Sequence, residues 1–122
     1  RPEEDLRSVG LSRQKVTYVR ALSAAWLEEP ERFGRLAALS DEEACAALTS
    51  IKGIGIWTAQ MFLMFTLQRP DVFAPGDLGL KKAMANLLGL AMESPERTFA
   101  LRAQRWSPHR SWASLHLWRS LA

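Results

Sequence analysis

The 122 residues carry 16 lysines and arginines against 13 aspartates and glutamates, a net charge of +3, with 48% hydrophobic and 24% charged residues. That describes one domain, or a large piece of one, with enough apolar side chain to bury a core, so the chain need not be disordered. The longest apolar run, Met61 to Leu67, is interrupted by Thr66 and falls far short of a membrane span. One cysteine, Cys45, excludes an internal disulfide and any metal centre built from several cysteines, and a reducing compartment is expected. The start, Arg1-Pro2-Glu3-Glu4-Asp5, has neither an initiating Met nor an apolar signal core, so the chain reads as a fragment.

In chain order, Gly10-Leu11-Ser12 reads as a turn with Ser12 as a helix cap. After it, Val16, Val19, Leu22 and Trp26 recur at helical spacing. Pro30 suits the first turn of a short helix carrying Phe33 and Leu36. Ser40 with Glu43 is a capping box that starts a helix through Ala44, Ala47 and Leu48. Ile51-Lys52-Gly53-Ile54-Gly55 breaks it, and a deeply buried helix is predicted from Ile56 to about Leu67. Gln68 to Gly76 is irregular, with Pro70 and Pro75. Asp77 is the expected cap of a helix over Leu78–Leu88, closed by Gly89. Ser94-Pro95-Glu96 and Ser107-Pro108 each read as cap and first-turn proline of a further helix, the last reaching about Leu121. The expectation is an all-α fold of about seven helices joined by short turns, with no hairpin of strands.

Three features bear on chemistry. In Leu48 to Ala59, two glycines one residue apart allow a tight turn, and the helix beginning at Ile56 would aim unpaired amides and its positive dipole end at that corner. That is an anion site suited to a DNA phosphate, with the charge of Lys52 beside it; a bare helix–helix corner uses the same residues. Asp77 is either an ordinary cap or a fixed carboxylate facing a cleft, able to stabilise a sugar cation or orient a water; the two roles are compatible. Five tryptophans, at 26, 57, 106, 112 and 118, belong mostly to the core, with Trp57 and Trp118 the candidates for stacking on a base.

The remaining signals are weaker. From Arg97 onward the chain holds Arg97, Arg102, Arg105, Arg110 and Arg119 and no acid, which fits either polyanion binding or a solvated helical face. His109 and His116 lack a third ligand for a metal, and Cys45 reads as inert core.

Taken together, these residues resemble the helix-hairpin-helix superfamily of base-excision DNA glycosylases, in its 3-methyladenine (alkylpurine) branch. Four ordered segments carry the resemblance: Gly10 to Lys15 with Tyr18, Leu48 to Ala59, Asp71 to Lys82, and Arg105 to Ala113 continuing to Trp118. The resemblance implies that Asp77 is the catalytic carboxylate and that the amides around Gly53, Ile54 and Gly55, with Lys52, hold a phosphate beside the lesion. It implies Trp57 and Trp118 as the base pocket. It also implies a sodium or potassium ion on the carbonyls of Thr49, Ile51 and Ile54, with no other cofactor.

Trp57 stands where bifunctional members carry a nucleophilic lysine, so a monofunctional hydrolase without lyase activity is implied. The implied partner is double-stranded DNA with damaged bases, met by a monomer in cytoplasm or nucleoid of a bacterium or nucleus of a eukaryote. The family's preceding segment, which supplies the residue filling the gap of the flipped base, is missing from residues 1–122. Gly76 and Leu78 replace a second acid and a tyrosine of some relatives. Two other readings stand beside this one: a non-catalytic helix-hairpin-helix DNA-binding module, and a helical interaction domain with an incidental Gly-x-Gly.

Overall fold

The computed structural model describes residues 13–122, without the side chains of residues 13–16 and 18. Ser12, expected to cap the first helix, and the side chains of Val16 and Tyr18 lie outside the described residues. Among these are seven α-helices and no strand. We label them α1 (Arg13–Leu27), α2 (Pro30–Ala37), α3 (Asp41–Thr49), α4 (Ile56–Met61), α5 (Leu78–Leu88), α6 (Glu96–Ala103) and α7 (Arg110–Arg119).

Local chemistry sets most boundaries. Pro30 occupies the first turn of α2. The Ser40–Glu43 box is formed: the Glu43 amide donates to the Ser40 hydroxyl at 3.2 Å, and the Ser40 amide donates to the Glu43 carboxylate at 3.0 Å. Gly89 closes α5 in the left-handed conformation, at φ 75°, its amide reaching the Ala85 carbonyl.

Three expectations need correction. The helix from Ile56 does not stay α to Leu67. From Phe62 to Thr66 it widens into a π turn, in which the Leu67 amide reaches back to the Phe62 carbonyl. At α6, Pro95 rather than Ser94 takes the cap position, with no side-chain cap bond, and Glu96 is the first helical residue. At α7 the start lies at Arg110, not at Pro108, and Ser107 does not cap it. The Arg110 amide finds its acceptor in Asp71, 39 residues away, and Ser107 donates its hydroxyl to the same carboxylate.

The core forms around α4 and its π continuation. Met61, Phe62, Leu63, Met64 and Phe65 are all buried, because this segment packs against α1 and α3 and its far end against α7. Trp26 of α1 meets Phe62 edge-on at 5.9 Å, and Ser23 and Thr66 share a hydrogen bond between the same two elements. Each fully buried side chain of this size contributes about 1.5–3 kcal/mol. On the other side, α5 packs on α7.

The loop from Leu67 to Gly76 joins the halves and is held from both sides. Gln68 reverses the chain at φ 54°, a left-handed value uncommon outside glycine. Arg69 donates to the Asp41 carboxylate at 2.9 Å and to the carbonyls of Ala37 and Leu39, which fixes the loop to the α2–α3 corner. The Ser111 hydroxyl donates to the Arg69 carbonyl and accepts from the Val72 amide, while the Ser111 amide donates to Pro70. Asp71 grips Arg110 through two oxygens at 2.7 and 3.1 Å. A loop secured this way delivers the residue that follows it, Asp77, to one place.

Candidate active site

Asp77 sits at the amino-terminal cap of α5 and is 2% exposed. Its amide donates to the Ala74 carbonyl, and its own carbonyl receives the Lys81 amide, so the residue belongs to loop and helix at once. The Leu80 amide donates to Oδ2 at 2.9 Å, which is the capping bond expected from the sequence. Two more donors come from other elements. Trp57 of α4 donates its indole Nε1–H to Oδ1 at 2.7 Å, and Trp118 of α7 donates its own to Oδ2 at 2.8 Å. Each carboxylate oxygen therefore receives one indole N–H from opposite sides.

The sequence marks Trp57 and Trp118 as candidates through their ring faces, whereas in the structure their N–H edges turn to Asp77. Trp118 is 1% exposed, and Phe65 stacks against it with centroids 5.8 Å apart and planes at 27°. Trp57 is half-buried and keeps some surface. Of the other tryptophans, Trp26 is core with the Arg32 guanidinium 4.3 Å above it, and Trp106 is half-buried beneath Arg102. Trp112 departs from the core expectation and stands exposed.

The hairpin lies between α3 and α4, directly before Trp57. Gly53 adopts φ 90°, a conformation that excludes ordinary side chains, so the turn itself requires glycine. Gly55 is different: it is extended, at φ −87° and ψ 176°, and a Cβ there would meet nothing within 4 Å. It takes the cap position of α4, with no side-chain cap bond. Lys52 is exposed.

The Ile54 amide donates to the Ile51 carbonyl at 3.1 Å to close the turn, so it is already committed within the hairpin. The Ile51 carbonyl retains its second lone pair. Thr49 is the last residue of α3, whose final turn carries no basic side chain, so the negative end of that helix has no cation of its own there. Neutral carbonyl oxygens suit a hard cation rather than a soft transition metal.

The basic carboxy-terminal segment is not uniformly a solvent-facing surface. Arg110 is bound to Asp71, and Arg102 lies over Trp106, while Arg97, Arg105 and Arg119 are exposed. The Arg110 guanidinium beside Asp71 holds that carboxyl down at about 2, below its ordinary 3.8. Cys45 is half-buried rather than core, and burial pushes its thiol up, away from the reactive thiolate. His109 and His116 are both exposed.

Among the described residues all regular structure is helical, and the helix–hairpin–helix corner leads straight into a tryptophan bound to a buried aspartate. Residues 1–108 match the family described as HhH-GPD superfamily base excision DNA repair protein, and the chain belongs to that superfamily. Over 118 residues, 97% of this chain, it is 35% identical to YfjP of Bacillus subtilis, which bears the provisional name of a DNA-3-methyladenine glycosylase. It is 33% identical to DNA-3-methyladenine glycosylase 1 of Schizosaccharomyces pombe over 96% of its length. It is 36% identical to the DNA-3-methyladenine glycosylase of Saccharomyces cerevisiae over 83%. The chain spans 41%, 52% and 34% of these three relatives. Among the described residues, no helix is long and apolar enough to cross a membrane.

Proposed function

We propose that residues 1–122 form the hairpin-bearing part of a monofunctional DNA glycosylase that hydrolyses the N-glycosidic bond of alkylated purines, of the 3-methyladenine type, in duplex DNA. The observation that carries this reading is the buried Asp77 carboxylate, fixed by Trp57 and Trp118 next to the Gly53–Gly55 corner. A cap alone needs one bond to a backbone amide; two indole donors converging on the same group fit a carboxylate whose position matters for chemistry.

In this reading the Gly55 corner and the first-turn amides of α4 hold a backbone phosphate, aided by Lys52, and set the register of the duplex. Gly55 has no clash or positive φ to account for it within the chain, which fits an approach of DNA backbone from outside. Thr49, Ile51 and Ile54 would hold a sodium or potassium ion through their carbonyls, which would add positive charge beside that phosphate. The damaged nucleotide leaves the duplex at a cost of a few kcal/mol. An alkylated purine already carries positive charge and departs without a strong acid. Asp77 then offsets the charge growing on the deoxyribose, in surroundings that screen it less than water does. Trp57, with surface left, stacks on the cationic base. Its ring offers no amine for a Schiff base, so water completes the reaction. The site works as a monomer, wherever the chromosome lies.

Methylated duplex DNA is the test substrate. Release of free 3-methyladenine or 7-methylguanine without strand scission is the expected result; scission through a trapped imine, or DNA binding with no release, would reject it in favour of a lyase or a binding module.

A further inference from the structure

We infer that Gly79 is a positioning residue for Asp77: the missing side chain at this site is what lets the Trp118 indole reach the carboxylate. The catalytic consequence rests on the function proposed above; the geometry does not. Gly79 is the second residue of α5; glycine is a weak helix former, and its backbone has no positive φ to call for it. The reason for glycine lies in space. A Cβ at position 79 would stand 3.1 Å from both Cδ1 and Nε1 of Trp118 and 3.2 Å from Oδ2 of Asp77. Those are the two ends of the 2.8 Å hydrogen bond.

Neither end has room to yield. Trp118 is buried with Phe65 against its face, so the ring cannot retreat. Asp77 is anchored through its amide to Ala74 and through Oδ2 to Leu80. A methyl group at 79 must therefore part the indole from the carboxylate or turn the carboxylate away. Trp57 still holds Oδ1 from the α4 side. The carboxylate thus lies in a two-sided clamp, one jaw of which closes over a glycine.

The test uses Gly79→Ala, Trp118→Phe and the double variant of the whole chain. Its first readout is independent of activity. Each of the five tryptophans gives an indole N–H resonance, and Asp77→Asn assigns the two that sense the carboxylate. In Gly79→Ala the Trp118 resonance should move upfield while that of Trp57 moves little. An unmoved Trp118 signal would overturn the inference. The second readout is single-turnover base release. Gly79→Ala and Trp118→Phe should each lower it by about 10–100-fold at unchanged DNA affinity. The double variant should be no slower than Trp118→Phe, because the Trp118 bond that Gly79 makes room for is already lost; additive losses would overturn the inference. If Gly79→Ala does not fold, Trp118→Phe decides alone: slow excision with DNA affinity kept upholds the clamp, and unchanged excision overturns it. If the parent chain releases no base, the proposed activity fails while the indole resonances still judge the clamp.

Discussion

Asp71 and Asp77 stand six residues apart in one loop, and both supply the carboxylate at the start of a helix, yet their surroundings differ. Asp71 serves α7, 39 residues away, and its main partner is a cation, Arg110, in a pair that is about three-quarters buried. Asp77 serves its own helix, is nearly inaccessible, and takes its described bonds from two indoles and one backbone amide. The first arrangement ties the loop to the scaffold. The second presents a carboxylate at a fixed point beside the hairpin. Two identical side chains in one short segment thus divide into a fastener and, in the function proposed above, a reacting group, and the division is set by what each was brought against, not by local sequence.

The largest test of this division exchanges each acid for its amide. Asp77→Asn should lower base release by about 100–1,000-fold, the range for removing a group that stabilises transition-state charge, while DNA affinity persists. The amide would also set an N–H group against one of the indole donors. Some stability, about 1–3 kcal/mol, should go with it, so the rate is compared per folded molecule. Asp71→Asn should lower single-turnover release far less, because Arg69 and Ser111 still hold the loop. A large loss of release in Asp71→Asn with none in Asp77→Asn would reverse the assignment.

A smaller effect is expected on the other wall of the site. Gly55→Val introduces no positive-φ strain, and its Cβ would meet nothing within 4 Å, so it chiefly probes the outside contact. DNA affinity should fall about fivefold to tenfold, close to 1 kcal/mol, for all sequences alike, compared per folded molecule because valine is a poorer cap than glycine. Gly53→Val confuses the two effects, since φ 90° makes it destabilising in itself. Affinity unchanged in Gly55→Val would detach the hairpin from DNA and leave Asp77 without a neighbouring phosphate site.

What the sequence made legible follows the range of the interaction. The Ser40–Glu43 box, the Asp77–Leu80 cap and the Gly89 stop each close within three or four residues, and all three were readable in the linear pattern. Asp71, Ser111 and Arg110 act across about 40 residues, so the pattern Ser107-Pro108 suggested a local cap that the chain does not use. Trp57 and Trp118 were visible as aromatic supply, but the target of an indole N–H depends on tertiary placement. Gly79 was silent for the same reason: its role is to leave space for a side chain 39 positions on, and a helical glycine carries no mark of that. The π turn at Phe62–Thr66 has no local signature either, since an all-apolar segment reads the same in α and π form.

The finest distinction between the two aspartates is in how stability responds to acid. Asp71 titrates in the folded protein at about 2, chiefly because Arg110 hydrogen-bonds its charged form. A carboxyl whose folded value lies below its unfolded value stabilises the fold fully above the unfolded value, near 3.8, and loses that contribution as pH falls toward about 2. With the pair partly open to water, the contribution is on the order of 1–2 kcal/mol. Urea unfolding of the parent and of Asp71→Asn should therefore differ by that amount from pH 5 to 7 and converge between pH 4 and 2. High salt should narrow the difference at neutral pH, because the Arg110–Asp71 pair is not fully enclosed. A difference that persists undiminished at pH 2 would mean that Asp71 fastens the loop through its neutral form, by the bonds to Ser107 and the Arg110 amide, and that the guanidinium is incidental to its role.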